Sequence, residues 1–278
     1  MVSFAQKSKT STEHSRSIDS LITLLKKDKE DTTKVIHLYT LCDKYQNIGN
    51  YDTALYYGNA ALQLAQQLNY QKGIADSYKN IGIIYKKQGH YDKALESWFA
   101  SLQIRKEIGD EQGTADSYNS IGIIYANQGN YDQALKNYFA SLKIEEDISD
   151  EQGIAVSYNN IGLIYYEQGV FDKALEYYFA SLKISEEVLE QAMRSPGKIG
   201  NEYRGSQKNI ANSYNNIANI YADEGKVDMA LENYFASLKI NEEIGNKKDI
   251  ATSYNNIATI YADEGNSDQA LEYFFASL

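Results

Sequence analysis

Ala75-Asp-Ser-Tyr-Lys-Asn-Ile-Gly-Ile-Ile-Tyr-Lys-Lys-Gln-Gly89-His-Tyr-Asp-Lys-Ala-Leu-Glu-Ser-Trp-Phe-Ala-Ser-Leu102 is the stretch that decides the fold. Tyr78, Ile81, Gly82 and Tyr85 fall on one face of a helix, because their spacing follows the 3.6-residue turn. Gly89 then stops that helix, as glycine does at the position after a C-cap. Tyr91, Leu95, Trp98 and Leu102 make a second helical face. Asp92 stands in the first turn of that second helix, where a carboxylate is favoured by about a few tenths of a kcal/mol. The stretch therefore predicts two helices joined by a tight turn.

The unit recurs. Phe-Ala-Ser-Leu stands at 99–102, 139–142, 179–182, 235–238 and 275–278, and Ser-Tyr at 77–78, 117–118, 157–158, 213–214 and 253–254. Both series step by 40, 40, 56 and 40 residues, so the long step holds 16 additional residues. Two markers in one register identify an internal repeat, and internal repeats of this length mean a stacked solenoid. Small residues recur where paired helices must meet: Gly82, Gly122, Gly162, Ala218 and Ala258 at one position, and Ala94, Ala134, Ala174, Ala230 and Ala270 at another. Larger side chains there would push the helices apart. The 25 tyrosines read mainly as packing material at positions such as Tyr78, Tyr85 and Tyr91.

Composition agrees. One proline in 278 residues disfavours a strand-rich, turn-rich fold, and 43% apolar residues suffice for a core. The net charge of −11 lacks the basic footprint of a nucleic-acid binder. No apolar run approaches the roughly 18 residues that span a bilayer. The single cysteine, Cys42, excludes an internal disulfide and reads as a packing residue at the small-residue position. With three histidines and one cysteine, neither H-E-x-x-H nor C-x-x-C spacing is present, the glycines end or pack helices, and no constellation with converging catalytic roles is found. The expectation is a non-enzyme with no cofactor and no metal.

Five segments follow. Residues 1–17 read as a disordered N-terminus or a signal-peptide remnant with Ala5 near a cleavage point; the two leave cytoplasmic and exported locations open. Residues 18–34 carry an amphipathic capping helix with Ile18, Leu21, Ile22 and Leu25. Residues 35–187 hold four repeats, the first a degenerate copy with Leu38, Cys42, Tyr45, Gly49, Tyr51 and Ala54. Residues 188–210 are an insertion in which Ser195-Pro196-Gly197 reads as a loop whose flanks extend the neighbouring helices; it is either a tolerated insertion or a binding or hinge loop. Residues 211–278 hold two further repeats, the last incomplete.

The spacing Tyr78…Ile81-Gly82…Tyr85…Gly89…Tyr91…Ala94…Trp98…Ser101 resembles the tetratricopeptide pattern, from about residue 35 to 278. The unit of 40 residues is longer than that pattern and the usual closing proline is absent, so the additional residues, such as Ile104 to Ile108, are expected to lengthen the second helix. In this the chain is similar to kinesin light chain, Pins, the bacterial Rap regulators and the sensor arrays of bacterial histidine kinases. The resemblance implies an all-α, right-handed superhelix of about six helix-turn-helix repeats plus an N-terminal helix. It also implies a scaffold that binds a protein or peptide, serving as the sensory or regulatory region of a larger bacterial signalling protein. A self-associating assembly module is the alternative.

In such an array the first helices line the groove, and the second, fifth, ninth and twelfth or thirteenth motif positions share a stripe. The fifth position carries Lys79, Asn119, Asn159, Asn215 and Asn255; the sixth carries Asn80, Ser120, Asn160, Asn216 and Asn256. These amides resemble the asparagine ladders with which some family members hold a peptide backbone, since a carboxamide both donates and accepts. The sixth position is equally readable as a tie between adjacent helices. The fifth is expected to face the groove, so that alanine at Asn159, Asn215 and Asn255 would leave stability nearly unchanged. Charge is polarised along the stripe, with Lys79, Lys86 and Lys87 early and Glu167, Asp223 and Asp263 later. Phe274, Phe275 and Leu278 fall where every earlier copy continues. The expectation there is a fragment that self-associates as a homo-oligomer through exposed apolar side chains.

Overall fold

The computed structural model describes residues 17–194 and 200–278. The expectation of a disordered or leader-derived N-terminus covers residues 1–17, of which 1–16 lie outside the described residues and Ser17 begins a helix; that of a loop at Ser195, Pro196 and Gly197 also lies outside them. Among the described residues every regular element is a helix. The chain divides into two compact units, Met1–Asn130 and Tyr131–Leu278.

Unit 1 contains α1 (17–25), α2 (Thr32–Asn47), α3 (Tyr51–Gln67), α4 (Gln71–Lys87), α5 (Tyr91–Glu107) and α6 (Glu111–Asn127). Each of α2 to α5 packs on the next helix in sequence, and α2 also packs on α4, which is the signature of stacked helix pairs. The helices from α3 to α6 are 17 residues each, so a second helix longer than four turns accounts for the 40-residue unit. The predicted capping segment is only partly helix. It ends near residue 25, and Asp31 caps α2 by accepting from the backbone N–H groups of Thr33 (2.9 Å) and Lys34 (3.3 Å). Leu25 packs on the cluster of Val35, Leu38, Ala61 and Leu64.

Gly89 ends α4 with a left-handed φ of +77°, and the N–H of His90 reaches back to the Tyr85 carbonyl at 2.9 Å. That geometry strongly favours glycine, which has no Cβ to clash. Gly82 is required for a different reason. A Cβ there would lie 2.8 Å from the Trp98 ring, so the α4–α5 contact closes only without a side chain. Cys42 is buried at the matching position of α2, and burial pushes its thiol up to about 12, as suits a packing residue.

Unit 2 contains α7 (Tyr131–Asp147), α8 (Glu151–Glu167), α9 (Phe171–Arg194), α10 (Asn201–Asp223), α11 (Val227–Ile244), α12 (Lys247–Asp263) and α13 (Ser267–Ala276). Consecutive helices pack, and α8 also packs on α10. The described part of the insertion is helix: α9 runs for 24 residues and α10 for 23. Val188 and Ala192 are buried on the extended α9, and Ser206 and Ile210 on α10, so these flanks belong to the core of the unit. The described flanks of the insertion lie inside unit 2, where α9 packs on α10. Tyr178 fills the place that Trp98 has in unit 1, and a Cβ on Gly162 would lie 2.7 Å from its ring.

Candidate functional site

The first helices of unit 2 carry the stripe expected of a binding surface, and the structure sorts its residues into two kinds. Asn159 is a tie. Its Nδ2 donates to Ser181 Oγ on α9 (2.6 Å) and to Ser213 Oγ on α10 (3.0 Å), and both hydroxyls are fully buried. The expectation of a solvent-facing fifth position is therefore corrected for Asn159: its own repeat and the next one both claim its amide. Asn255, at the same motif position, is exposed, and its Oδ1 accepts from the Ser277 hydroxyl at 3.0 Å. Asn215 is half-buried, and its Oδ1 accepts from Asn256 Nδ2 at 3.1 Å. In unit 1, Asn80 Nδ2 donates to the Tyr39 carbonyl at 3.4 Å. Asn80 and Asn256 thus both reach the fifth position of the preceding first helix, which is the tie that the alternative reading gave the sixth position. Asn119, Asn160 and Asn216 are half-buried on α6, α8 and α10.

The charged residues fall separately in each unit. In unit 1, Lys79 and Lys86 are half-buried and Lys87 is exposed. Burial, then the Lys87 charge, lowers the Lys86 pKa. In unit 2, Asp223 and Asp263 border a cavity of about 240 Å³ beside α8, α10 and α12, together with Tyr166, Asn219, Asn256 and Thr259. The Tyr166 hydroxyl donates to Asp223 Oδ2 at 2.7 Å. Burial, that hydrogen bond and the carboxylate charge push the Tyr166 phenol up to about 12. Tyr234 reaches the cavity from α11 and donates to Asn219 Oδ1 at 2.7 Å. Neither Asp223 nor Asp263 is ion-paired with a cation among the described residues. Glu167 is exposed and lies outside this cavity, beside the Tyr131 hydroxyl at 3.5 Å. The arrangement combines unpaired negative charge with amide and hydroxyl groups, chemistry suited to a basic, hydrogen-bonding ligand.

Tyr166, Asn219 and Thr259 were not singled out from the sequence. A signal was present: the ninth motif position is Ile83, Ile123 and Leu163 in three repeats but Asn219 and Thr259 in the last two. That change from apolar to polar marks the stretch where the stripe becomes a polar cavity. The apolar side chains at the chain's last helix are also exposed, with Phe275 70% exposed and Leu271, Phe274 and Leu278 beside it in sequence. Among the described residues, no group of three or more His, Cys, Asp or Glu gathers as a metal site, and no helix is long and apolar enough to cross a membrane.

The sequence pattern described as "Tetratricopeptide repeat" matches residues 35–107, 113–187 and 209–277. No curated protein matches the sequence. Solved structures share the fold. BtubC (BKLC) from P. vanneervenii is 19% identical with a TM-score of 0.64, over 82% of this chain and 89% of that one. Aspartyl phosphate phosphatase F from Bacillus subtilis is 15% identical with a TM-score of 0.67, over 95% and 67%. A signal transduction ATPase with numerous domains from Pyrococcus horikoshii, PH0952, has a tetratricopeptide repeat sensor; it is 17% identical with a TM-score of 0.69, over 94% of this chain and 38% of that one. At such identities the likeness concerns the fold.

Proposed function

Because this chain belongs to the tetratricopeptide repeat family, whose fold generally serves as a protein-interaction scaffold, we propose that it binds a polypeptide on the α8/α10/α12 face of unit 2. The observation that carries this reading is the cavity of about 240 Å³ bordered by two carboxylates that no cation among the described residues pairs. Asp223 and Asp263 receive a basic side chain, and Asn256 and Thr259 offer hydrogen bonds beside it. The stripe that includes Asn215 and Asn255 extends the contact along the same helices. The sensory or regulatory region of a larger bacterial signalling protein is the setting that fits such a scaffold. Its support is the sensor role printed for the repeats of PH0952 and the phosphatase role of the Bacillus protein.

The test is binding of the 278-residue chain to an array of short basic, neutral and acidic peptides, repeated with Asp223→Asn/Asp263→Asn. Basic peptides should bind best, weaken with salt, and lose about tenfold in the double variant, equivalent to about 1.4 kcal/mol. Preference for acidic peptides, or binding indifferent to the double variant, would remove the reading. A second reading, self-association, rests on a specific observation: Leu271, Phe274, Phe275 and Leu278 are all exposed on or just after α13.

A further inference from the structure

One buried position changes its chemistry from repeat to repeat. In unit 1 it is Arg105, whose guanidinium is held inside the protein. Nη2 donates to Asp76 Oδ1 (2.6 Å), Nε to Ser101 Oγ (3.2 Å), and Nη1 pairs with the Asp110 carboxylate. Gly113 leaves the room: a Cβ there would collide with Arg105 Nη1. The register set by Phe-Ala-Ser-Leu places Ser237 at the position of Ser101, and Asn241 at that of Arg105. It likewise places Asn212 at Asp76, Asn246 at Asp110, and Asp249 at Gly113.

The short amide does not replace the guanidinium. A cavity of about 70 Å³ opens between α10, α11 and α12, and its lining is polar: Asn212, Asn215, Ser237, Asn241, Asp249 and Thr252 among it. Asn241 is 2% exposed; its Nδ2 donates to Ser237 Oγ at 3.3 Å, and its Oδ1 has no hydrogen-bond partner among the described residues. A buried acceptor without a partner costs about 1–3 kcal/mol, so the site favours an occupant that donates. Asp249 adds a carboxylate where unit 1 has no side chain, which favours an occupant that is also positive. The space suits one planar guanidinium; since a water's share of liquid is about 30 Å³, it also suits two waters.

We propose that this cavity is a subsite for the guanidinium of an arginine in a bound polypeptide, doing from outside what Arg105 does from within. The proposal rests on the reading that the α10/α12 face binds a polypeptide. It extends that face, because Asn215 at this cavity is hydrogen-bonded to Asn256 of the larger acidic cavity. A ligand lying along α10 and α12 would place one arginine at Asn241 and a second basic group at Asp223 and Asp263.

The test uses the full chain with acetyl-Gly-Arg-Gly-amide and its citrulline counterpart, which has nearly the same shape but no charge. Side-chain amide NMR signals of asparagine follow the titration at millimolar peptide. The arginine peptide should shift the Asn241 amide saturably, with the citrulline peptide at least about tenfold weaker. Asn241→Arg fills the space from within; it should abolish the shift that the arginine peptide also causes at the neighbouring Asn212 and Asn215 amides, and raise the melting temperature. Asn241→Leu should also abolish the shift at Asn212 and Asn215 in a folded protein. Equal binding of both peptides overturns the proposal, as does an Asn241 amide that neither peptide moves, the result expected if only water fills the cavity. Shifts confined to residues around Asp223 and Asp263 would overturn this subsite and leave the broader reading standing; no shift at either cavity would count against both.

Discussion

Units 1 and 2 are built on one repeat but bury different chemistry at its fixed positions. The large buried side chain at this position of the second helix is Trp98 in unit 1 and Tyr138, Tyr178 and Tyr234 in unit 2. The buried polar position is Arg105 in unit 1, but Glu145, Ser185 and Asn241 in unit 2. Glu145 accepts from Ser141 Oγ (2.8 Å) and Ser157 Oγ (2.6 Å), whereas Arg105 faces two carboxylates. The charges on the first helices differ in the same way, with Lys79, Lys86 and Lys87 in unit 1 and Glu167, Asp223 and Asp263 in unit 2. The lesson is that the repeat specifies backbone spacing and volume, while the polar neighbours are set copy by copy: Arg105 and Glu145 find their complements, whereas Ser185 Oγ and Asn241 Oδ1 have none among the described residues.

The largest expected consequence appears in alkali. Burial raises the phenols of Tyr138, Tyr178 and Tyr234, and burial together with Asp223 raises Tyr166 to about 12, all in unit 2. A phenol whose folded pKa exceeds its unfolded value of about 10 keeps its proton longer in the folded state. Stability is therefore complete below pH of about 10 and is lost as pH rises through the folded values. In unit 1 the matching large residue, Trp98, does not titrate; Cys42, Tyr39 and Tyr57 act in the same direction there. Trp98 is the single tryptophan, so its fluorescence reports unit 1 while circular dichroism reports both units. The dichroism signal should fall before the fluorescence changes as pH climbs from 10 to 12; simultaneous loss would break the comparison.

Next in size is Arg105→Ala, expected to cost roughly 2–3 kcal/mol because Asp76 and Asp110 lose their buried counter-charge but keep some contact with water. Urea denaturation followed by Trp98 fluorescence measures it, and a loss under about 0.5 kcal/mol, the range of ordinary surface changes, would show that this network is dispensable.

Two asparagines then sharpen the comparison within unit 2. Asn159→Ala should cost about 1–3 kcal/mol, because it removes a partner from the buried Ser181 and Ser213 hydroxyls. Asn255→Ala should stay within about 0.5 kcal/mol. Matching losses would mean that the two amides play one role. The smallest effect on stability is expected from Phe274→Glu/Phe275→Glu on exposed α13 positions. Light scattering over a concentration series should show association of the parent chain and its reduction in the variant; a monomer at every concentration removes the self-association reading.

Much of the architecture was legible because helix formation and turn chemistry are local. Tyr78, Ile81 and Tyr85 mark a face by spacing alone, and Gly89 announces a left-handed turn through what it lacks. The repeat itself doubled as a check, since each copy predicts the others. The site was less legible. Asp223, Asp263 and Asn256 fall on first helices at recurring motif positions and share one cavity, but Asn241 sits on a second helix, outside the stripe, and nothing in its own segment marks it as missing a partner.

Asn159 and Asn255 show where the division falls. Both stand in the string Ser-Tyr-Asn-Asn-Ile, and each has a serine of the following Phe-Ala-Ser-Leu within reach, Ser181 or Ser277. By itself the sequence determined that both lie on first helices, at one motif position, with amides able to donate and accept. Only the tertiary structure decided that Asn159 is a clamp, because Ser213 from the next repeat closes on it, while Asn255 remains at the surface. Helical periodicity is set by neighbours three and four residues away, but the partner of a buried polar group comes from wherever packing brings it.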